Sequence, residues 1–341
     1  MSKKTTVISV IVILVLLFVA GSFIYFTRHK QTNQPVKTDQ ALIKIGIIVY
    51  PGFAPFYLAQ EKGFFQKEGI NGQIVLINDP NQAASALASN QVQILFSSVD
   101  FTTFIASTGI DAKEIFASDI GYGSDGLLVK NNIKSIKDLK GKTVYMAMGT
   151  PSEFLFRYMQ QQAGVPTNDI KVAQMGIDQI GAAFVAGKID YGMSWEPWLS
   201  EASQRKDGKL LFSSRDYPGI VTDTFITRAD VLQSRRNDVK AVMRAWFDSL
   251  NFIKSNPDEA NAIMAKNLGL SVDSFKTQMA TIKFLDYNEN LTKFSTSTNL
   301  NIYQLTDKAT EIYKTDSVID AKVKISTDNL IDPTLLQDLY K

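Results

Sequence analysis

Trp195-Glu196-Pro197-Trp198 puts a flat aromatic face next to a carboxylate where an apolar run ends. Aromatic faces attract flat or cationic groups. Trp195 serves either as such a platform or as a core residue. Glu196 either pairs with a ligand amine or complements the start of the following helix. Trp198 reads as packing. Gly149-Thr150-Pro151-Ser152-Glu153 offers a different grip. A helix beginning there exposes free N–H groups and the positive end of its dipole, which suits an anion. Thr150 and Ser152 add hydroxyls. The plain alternative is a capping box, with Thr150 as the cap and Glu153 closing it. Phe53, after Pro51-Gly52, either lines a cleft or packs as a turn residue. Ser97 and Ser98 end another apolar run, where serine either meets ligand or caps the next helix. Tyr122 and Asp125 precede one apolar run and Asp223 another. Such aspartates either touch ligand or fix backbone amides.

This set is better equipped to bind than to catalyse. The chain has no cysteine, which excludes thiol catalysis, iron–sulfur clusters, thiolate zinc sites, disulfides and a lipid on an N-terminal cysteine. Its one histidine is His29, so neither a Ser-His-Asp triad nor a His-rich metal site can form in the body. Carboxylates alone leave only acid–base chemistry. No catalytic residue, metal ligand or cofactor is assigned.

The 341 residues suffice for about two domains. Of 36 basic residues, Lys3, Lys4, Arg28 and Lys30 fall in the first thirty, where there is no acid. The remainder is slightly acidic and has no run of cations, which argues against a nucleic-acid partner. Residues 7–26 are nearly continuous apolar sequence, about the span of a bilayer core. They read either as a secretory signal, with a poor cleavage site at Ala20-Gly21-Ser22, or as an uncleaved membrane anchor, the preferred reading. Residues 1–30 are thus the anchor or signal segment and residues 31–40 a flexible linker.

Strand patterns at residues 42–50, 73–77, 92–96, 115–117 and 127–130 alternate with helical patterns at 55–67, 82–88 and 101–107. The alternation restarts with strands at 143–146, 170–174, 189–194, 210–212 and 220–227, and helices at 151–163, 179–186 and 197–204. Later residues are mostly helical, at 239–254, 257–267, 271–281 and 300–313. Such alternation implies parallel sheets covered on both faces. Gln91-Val92-Gln93-Ile94-Leu95-Phe96-Ser97-Ser98 is echoed by Lys188-Ile189-Asp190-Tyr191-Gly192-Met193-Ser194-Trp195. Ser124-Asp125-Gly126 is echoed in the same order by Thr222-Asp223-Thr224. Two similar lobes follow, with the second pair crossing between them: residues 41–130, then 131–223, then 224–341 returning to the first lobe. A cleft between such lobes closes by hinge motion.

Five motifs carry a family resemblance. They are Pro55-Phe56-Tyr57-Leu58-Ala59-Gln60-Glu61-Lys62-Gly63-Phe64-Phe65, Ser135-Ile136-Lys137-Asp138-Leu139-Lys140-Gly141-Lys142-Thr143-Val144, Trp195-Glu196-Pro197-Trp198, Pro218-Gly219-Ile220-Val221-Thr222-Asp223 and Val242-Met243-Arg244-Ala245-Trp246-Phe247. Over about residues 42–315 the chain resembles the substrate-binding proteins of ABC importers for nitrate, sulfonates and taurine. That group also contains a fungal thiamin-pyrimidine synthase. The resemblance implies an α/β, two-lobed periplasmic-binding-protein fold (type II), each lobe a mostly parallel sheet flanked by helices. The N-terminal transmembrane helix read at residues 7–26 departs from the family, whose secreted members usually carry a cleavable signal or a lipidated cysteine. The resemblance also implies an extracytoplasmic monomer with a small-molecule ligand and an ABC transporter permease as partners. A membrane-tethered sensor is the alternative. The synthase branch depends on a histidine and a cysteine-rich motif missing from this body, so the resemblance implies no enzyme. The candidate site holds hydroxyls, rings and carboxylates with few cations; Arg157 lies on the helix after Ser152. A bare divalent anion suits this set poorly. A sulfonate or taurine-like zwitterion is the first choice, with a thiamin-precursor pyrimidine or nitrate as alternatives.

Overall fold

Ile43, Ile45 and Ile47 alternate along β1 (Ala41–Ile47) and are wholly buried, as expected of a central strand. The computed structural model describes residues 41–202 and 204–341. The segment at residues 7–26, read above as an anchor or signal, lies outside them. No helix among the described residues is long and apolar enough to cross a membrane.

The strands form two sheets. The others are β2 (Ile70–Leu76), β3 (Ile94–Ser98), β4 (Ala112–Gly121), β5 (Asp125–Lys130), β6 (Thr143–Met146), β7 (Lys171–Gln174), β8 (Tyr191–Trp195), β9 (Gly208–Ser213), β10 (Thr222–Arg228) and β11 (Ile282–Phe284). The first sheet runs β11-β4-β10-β3-β1-β2 and the second β7-β6-β8-β5-β9. With β11 set aside, the two orders correspond strand for strand. β2-β1-β3 and β7-β6-β8 are parallel, and in each sheet the next two pairings are antiparallel. With β11 aside, four of the five strands in each sheet run the same way, so the sheets are mostly parallel as expected, with β10 and β5 the reversed strands. The strands that enter from the other lobe run against their neighbours. Neither direction is visible in an apolar run.

The echoes in the sequence coincide with this correspondence. Ser98 on β3 faces Asp223 on β10. Trp195 on β8 faces Asp125 on β5. The first crossing moves, however: β5 already pairs within the second sheet, so the chain passes between lobes at residues 122–124 rather than after Lys130. It returns at residues 214–221. The two crossings are tied side by side. The Gly121 amide donates to the Val221 carbonyl (3.1 Å), and the Gly123 amide donates to Ser214 Oγ (2.8 Å). Gly123 has φ +112°, a conformation open to glycine and strained for other residues.

The first lobe is held by an aromatic cluster. Trp246, fully buried on the long helix Ala229–Ser255, meets Phe56 at 4.8 Å, Phe116 at 5.7 Å and Phe225 at 5.8 Å between ring centroids. The helix Ile302–Thr315 packs on the helix Val99–Ser107 of the first lobe and also reaches the second. Tyr313 Oη donates to Asp100 Oδ2 at 2.8 Å, while its ring meets Phe154 edge-on at 6.1 Å.

Candidate functional site

Strand ends from both sheets open onto one cavity. Open α/β sheets place ligands in this position. From the first lobe, Tyr50 and Phe53 follow β1, while Phe96, Ser97 and Ser98 end β3. From the second come Trp195, at the end of β8, and Thr150 and Pro151, at the start of the helix Pro151–Gln162. Asp125 opens β5, and Asp223 follows the first residue of β10. Seven of the residues singled out in the sequence thus converge: Phe53, Ser97, Ser98, Asp125, Thr150, Trp195 and Asp223.

Tyr122, Ser152 and Glu196 do not line it. Tyr122 stands outside at the crossing, 45% exposed, with the Arg215 guanidinium 4.9 Å from its ring centroid. Ser152 is fully buried on the helix, and its hydroxyl has no partner. Glu196 caps the next helix: the Ser200 amide donates to its Oε2 (3.0 Å) and Ser200 Oγ to its Oε1 (2.8 Å). Of the two roles open to Glu196, the structural one is observed.

Most wall hydroxyls are already engaged by the protein. Thr150 Oγ1 donates to the Ala147 carbonyl (2.6 Å). Ser97 Oγ pairs with Thr102 Oγ1 (2.8 Å), and Ser98 Oγ accepts from the Phe101 amide (3.4 Å). The helix starts are likewise occupied by internal acids. Asp79 caps the helix Pro80–Ala88 through the Gln82 amide (2.9 Å). Asp100 lies in the first turn of the helix Val99–Ser107. Glu153, fully buried, accepts from the Gly149 amide (2.8 Å) and from Arg157 Nη2 (3.1 Å). Glu153 therefore closes the loop onto Gly149 rather than onto Thr150. The dipole ends that would draw an anion already face carboxylates.

The cavity wall is largely apolar and aromatic, and its charged groups are the two acids Asp125 and Asp223. Asp119, Asp223 and Ser98 form a row across β4, β10 and β3. Like charges directly opposite destabilise a sheet, which opposes ionising both aspartates together. Burial and their mutual repulsion push Asp223 well above the usual carboxylate range, and burial raises Asp119 as well. Tyr50 Oη donates to Asp119 Oδ1 (3.2 Å) and Ser118 Oγ to Asp119 Oδ2 (2.9 Å). Across the cleft, Ser124 Oγ donates to Asp125 Oδ2 (2.7 Å), and burial pushes Asp125 up to about 7. Among the described residues, no lysine or arginine lines the cavity. No His, Cys, Asp or Glu group among them is arranged to hold a metal ion.

Tyr50 and Asp119 were missed in the sequence. Asp119 lies beyond residues 115–117, where the apolar signal for β4 stops, although the strand continues to Gly121. Tyr50 was read as the end of a strand. Gly52 holds these two together: a Cβ there would sit 2.2 Å from the Tyr50 ring and 2.8 Å from Asp119 Oδ2.

The architecture is that of the two-lobed periplasmic binding proteins. The alkanesulfonate-binding protein SsuA of Xanthomonas axonopodis pv. citri, solved bound to MOPS, superposes with a TM-score of 0.71 at 15% identity, covering 86% of this chain and 99% of that one. The family profile described as NMT1/THI5 like matches residues 50–260, and the chain belongs to that family. A Bacillus subtilis protein provisionally named for binding aliphatic sulfonates is 28% identical over 240 residues, 68% of this chain and 69% of that one. The 4-amino-5-hydroxymethyl-2-methylpyrimidine phosphate synthase of Aspergillus parasiticus is 24% identical over 187 residues, 50% of this chain and 53% of that enzyme.

Proposed function

We propose that this chain is the solute-binding component of an ABC importer. It captures a small organic molecule between its lobes and presents the closed form to a membrane permease outside the cytoplasm. The residues at 7–26 would tether or export it. The observation that carries this reading is the cavity walled by strand ends of both sheets, with two crossings tied beside it. Family membership and the shared fold support it. The ligand's amino end is the part that this cavity suits. A taurine-like zwitterion and an aminopyrimidine both offer one; nitrate does not. The mechanism is hinge closure: Trp195 on one lobe and Phe53 on the other shut on the ligand and exclude water. Among the described residues, the cavity wall holds no histidine, cysteine or lysine, which favours binding over catalysis.

The test is a thermal-shift screen of the full chain with taurine, alkanesulfonates, nitrate and thiamin-type pyrimidines. A ligand at a hundred times its dissociation constant stabilises by about 2.7 kcal/mol, which is readily seen. Trp195→Ala should abolish the response. A hit that survives this change unaltered would place binding elsewhere.

A further inference from the structure

Two features of the cavity point to its ligand. One is the pair of wall carboxyls, Asp125 and Asp223, backed by Asp119; the Ser124 hydroxyl donates to Asp125, but no wall cation faces either carboxyl. The other is the Trp195 indole: 7% exposed, on the cavity wall, with a buried Nε1–H that finds no acceptor. A buried donor without an acceptor costs free energy comparable to a lost hydrogen bond, so a bound molecule that accepts from it gains that much. Phe53, Phe96 and Phe101 add ring surface. Aromatic faces attract cations most strongly when water is excluded.

We infer that the ligand is a small, flat organic cation: a ring bearing a protonated amino group and a lone-pair acceptor. The amino group lies against Asp125 and Asp223, the ring against the aromatic wall, and the acceptor receives the Trp195 N–H. A sulfonate finds no comparable partner. The hydroxyls named above are spent on protein acceptors and amides, and the three helix starts carry Asp79, Asp100 and Glu153. The bound sulfonate of the Xanthomonas relative therefore does not transfer to this chain. A metal ion is a poor occupant too, because the aspartates are not grouped as ligands. This inference rests on the solute-binding reading and narrows its ligand to one charge class.

The test holds the ring constant and varies the charge, with calorimetry on the full chain. Pyridin-3-ylmethylamine is the cation, pyridin-3-ylmethanol the neutral compound and pyridine-3-sulfonate the anion; taurine, ethanesulfonate and nitrate accompany them. The amine should bind at least about tenfold tighter than the alcohol, and the sulfonates and nitrate should be silent. Asp223→Asn and Asp125→Asn should each weaken the amine by about a hundredfold, the scale for losing one partner of a buried charge pair. Neither should lower the melting temperature of the unliganded protein, so a loss of binding is not a loss of fold. Trp195→Phe should weaken pyridin-3-ylmethylamine but leave benzylamine, which lacks the ring acceptor, unchanged. Tightest binding by a sulfonate, taurine or nitrate would overturn the cation and leave the solute-binding reading standing. Equal binding across the series, or silence of the amine alone, would also overturn it. Silence of every compound would count against both.

Discussion

Asp223 lies between Ser98 and Asp119 on neighbouring strands, and burial and the nearby Asp119 raise its carboxyl well above the usual carboxylate range. Asp119, Asp125 and Asp100 are raised as well, chiefly by burial, and buried Glu114 is pushed up to about 8. Each raised carboxyl contributes stability that is fully present below its ordinary value and is lost as pH climbs through its folded value. Acids held low by surface partners, Asp138, Asp207, Asp230, Asp286 and Asp338, act in the opposite direction at lower pH. The unliganded protein should therefore melt higher at pH 5.5 than at pH 8, and Asp223→Asn should flatten that slope. Scanning calorimetry across the range checks both; a melting point that rises toward pH 8 would contradict the assignment. A bound cation favours the ionised carboxylates. Its affinity should therefore rise over the same interval, with protons released on binding. The groups that set this dependence are Asp119, Asp125, Asp223, Tyr50, Asp100 and Glu196.

Among the elements, those with a sustained period were the most legible. The strand at residues 143–146 and the helix at 257–267 appear as read. Long amphipathic helices and apolar strands announce themselves because one side of each must be buried. β11 and the helix Tyr287–Lys293 escaped notice, being short and only partly buried. The segment at 55–67 read as one helix but is broken at Gly63, whose φ of +73° ends one helix and opens the next. Which strand of each sheet is reversed was illegible, since a pairing partner far along the chain leaves no local mark. The site was legible where residues sat at strand ends, as with Trp195 and Asp125, and hidden where a strand outran its apolar pattern, as with Asp119. Packing decides the elements' stability. Trp246→Ala should cost about 3–5 kcal/mol in urea denaturation, the range for emptying a large aromatic site in a core. A loss under 1 kcal/mol would mean that the four-ring cluster is not the anchor of the first lobe.

At the scale of the molecule, the two lobes repeat one strand order yet present unlike tips: serine and aspartate from one sheet, tryptophan and aspartate from the other. A ligand held between them is read from two directions. The Tyr313–Asp100 bond and the Tyr313–Phe154 contact let the helix Ile302–Thr315 touch both lobes at the cleft's edge. Tyr313→Phe should loosen the unliganded form, seen as a larger radius of gyration in solution scattering, while saturating ligand restores the compact value. An unchanged radius without ligand would remove that helix from the closing motion.

The tie through Ser214 has a practical corollary. Its hydroxyl accepts from the amides of Gly123 (2.8 Å) and Asp125 (3.4 Å), binding the return crossing to the outgoing one. Two strips fastened edge to edge bend readily about one line and resist shear and twist. Occupancy then translates into a single angle. One donor–acceptor dye pair, with one dye on each lobe far from the cleft, would register binding as one monotonic change in energy transfer. Attaching the dyes is simple chemistry here, because a chain without cysteine accepts two introduced thiols with no competing native label site.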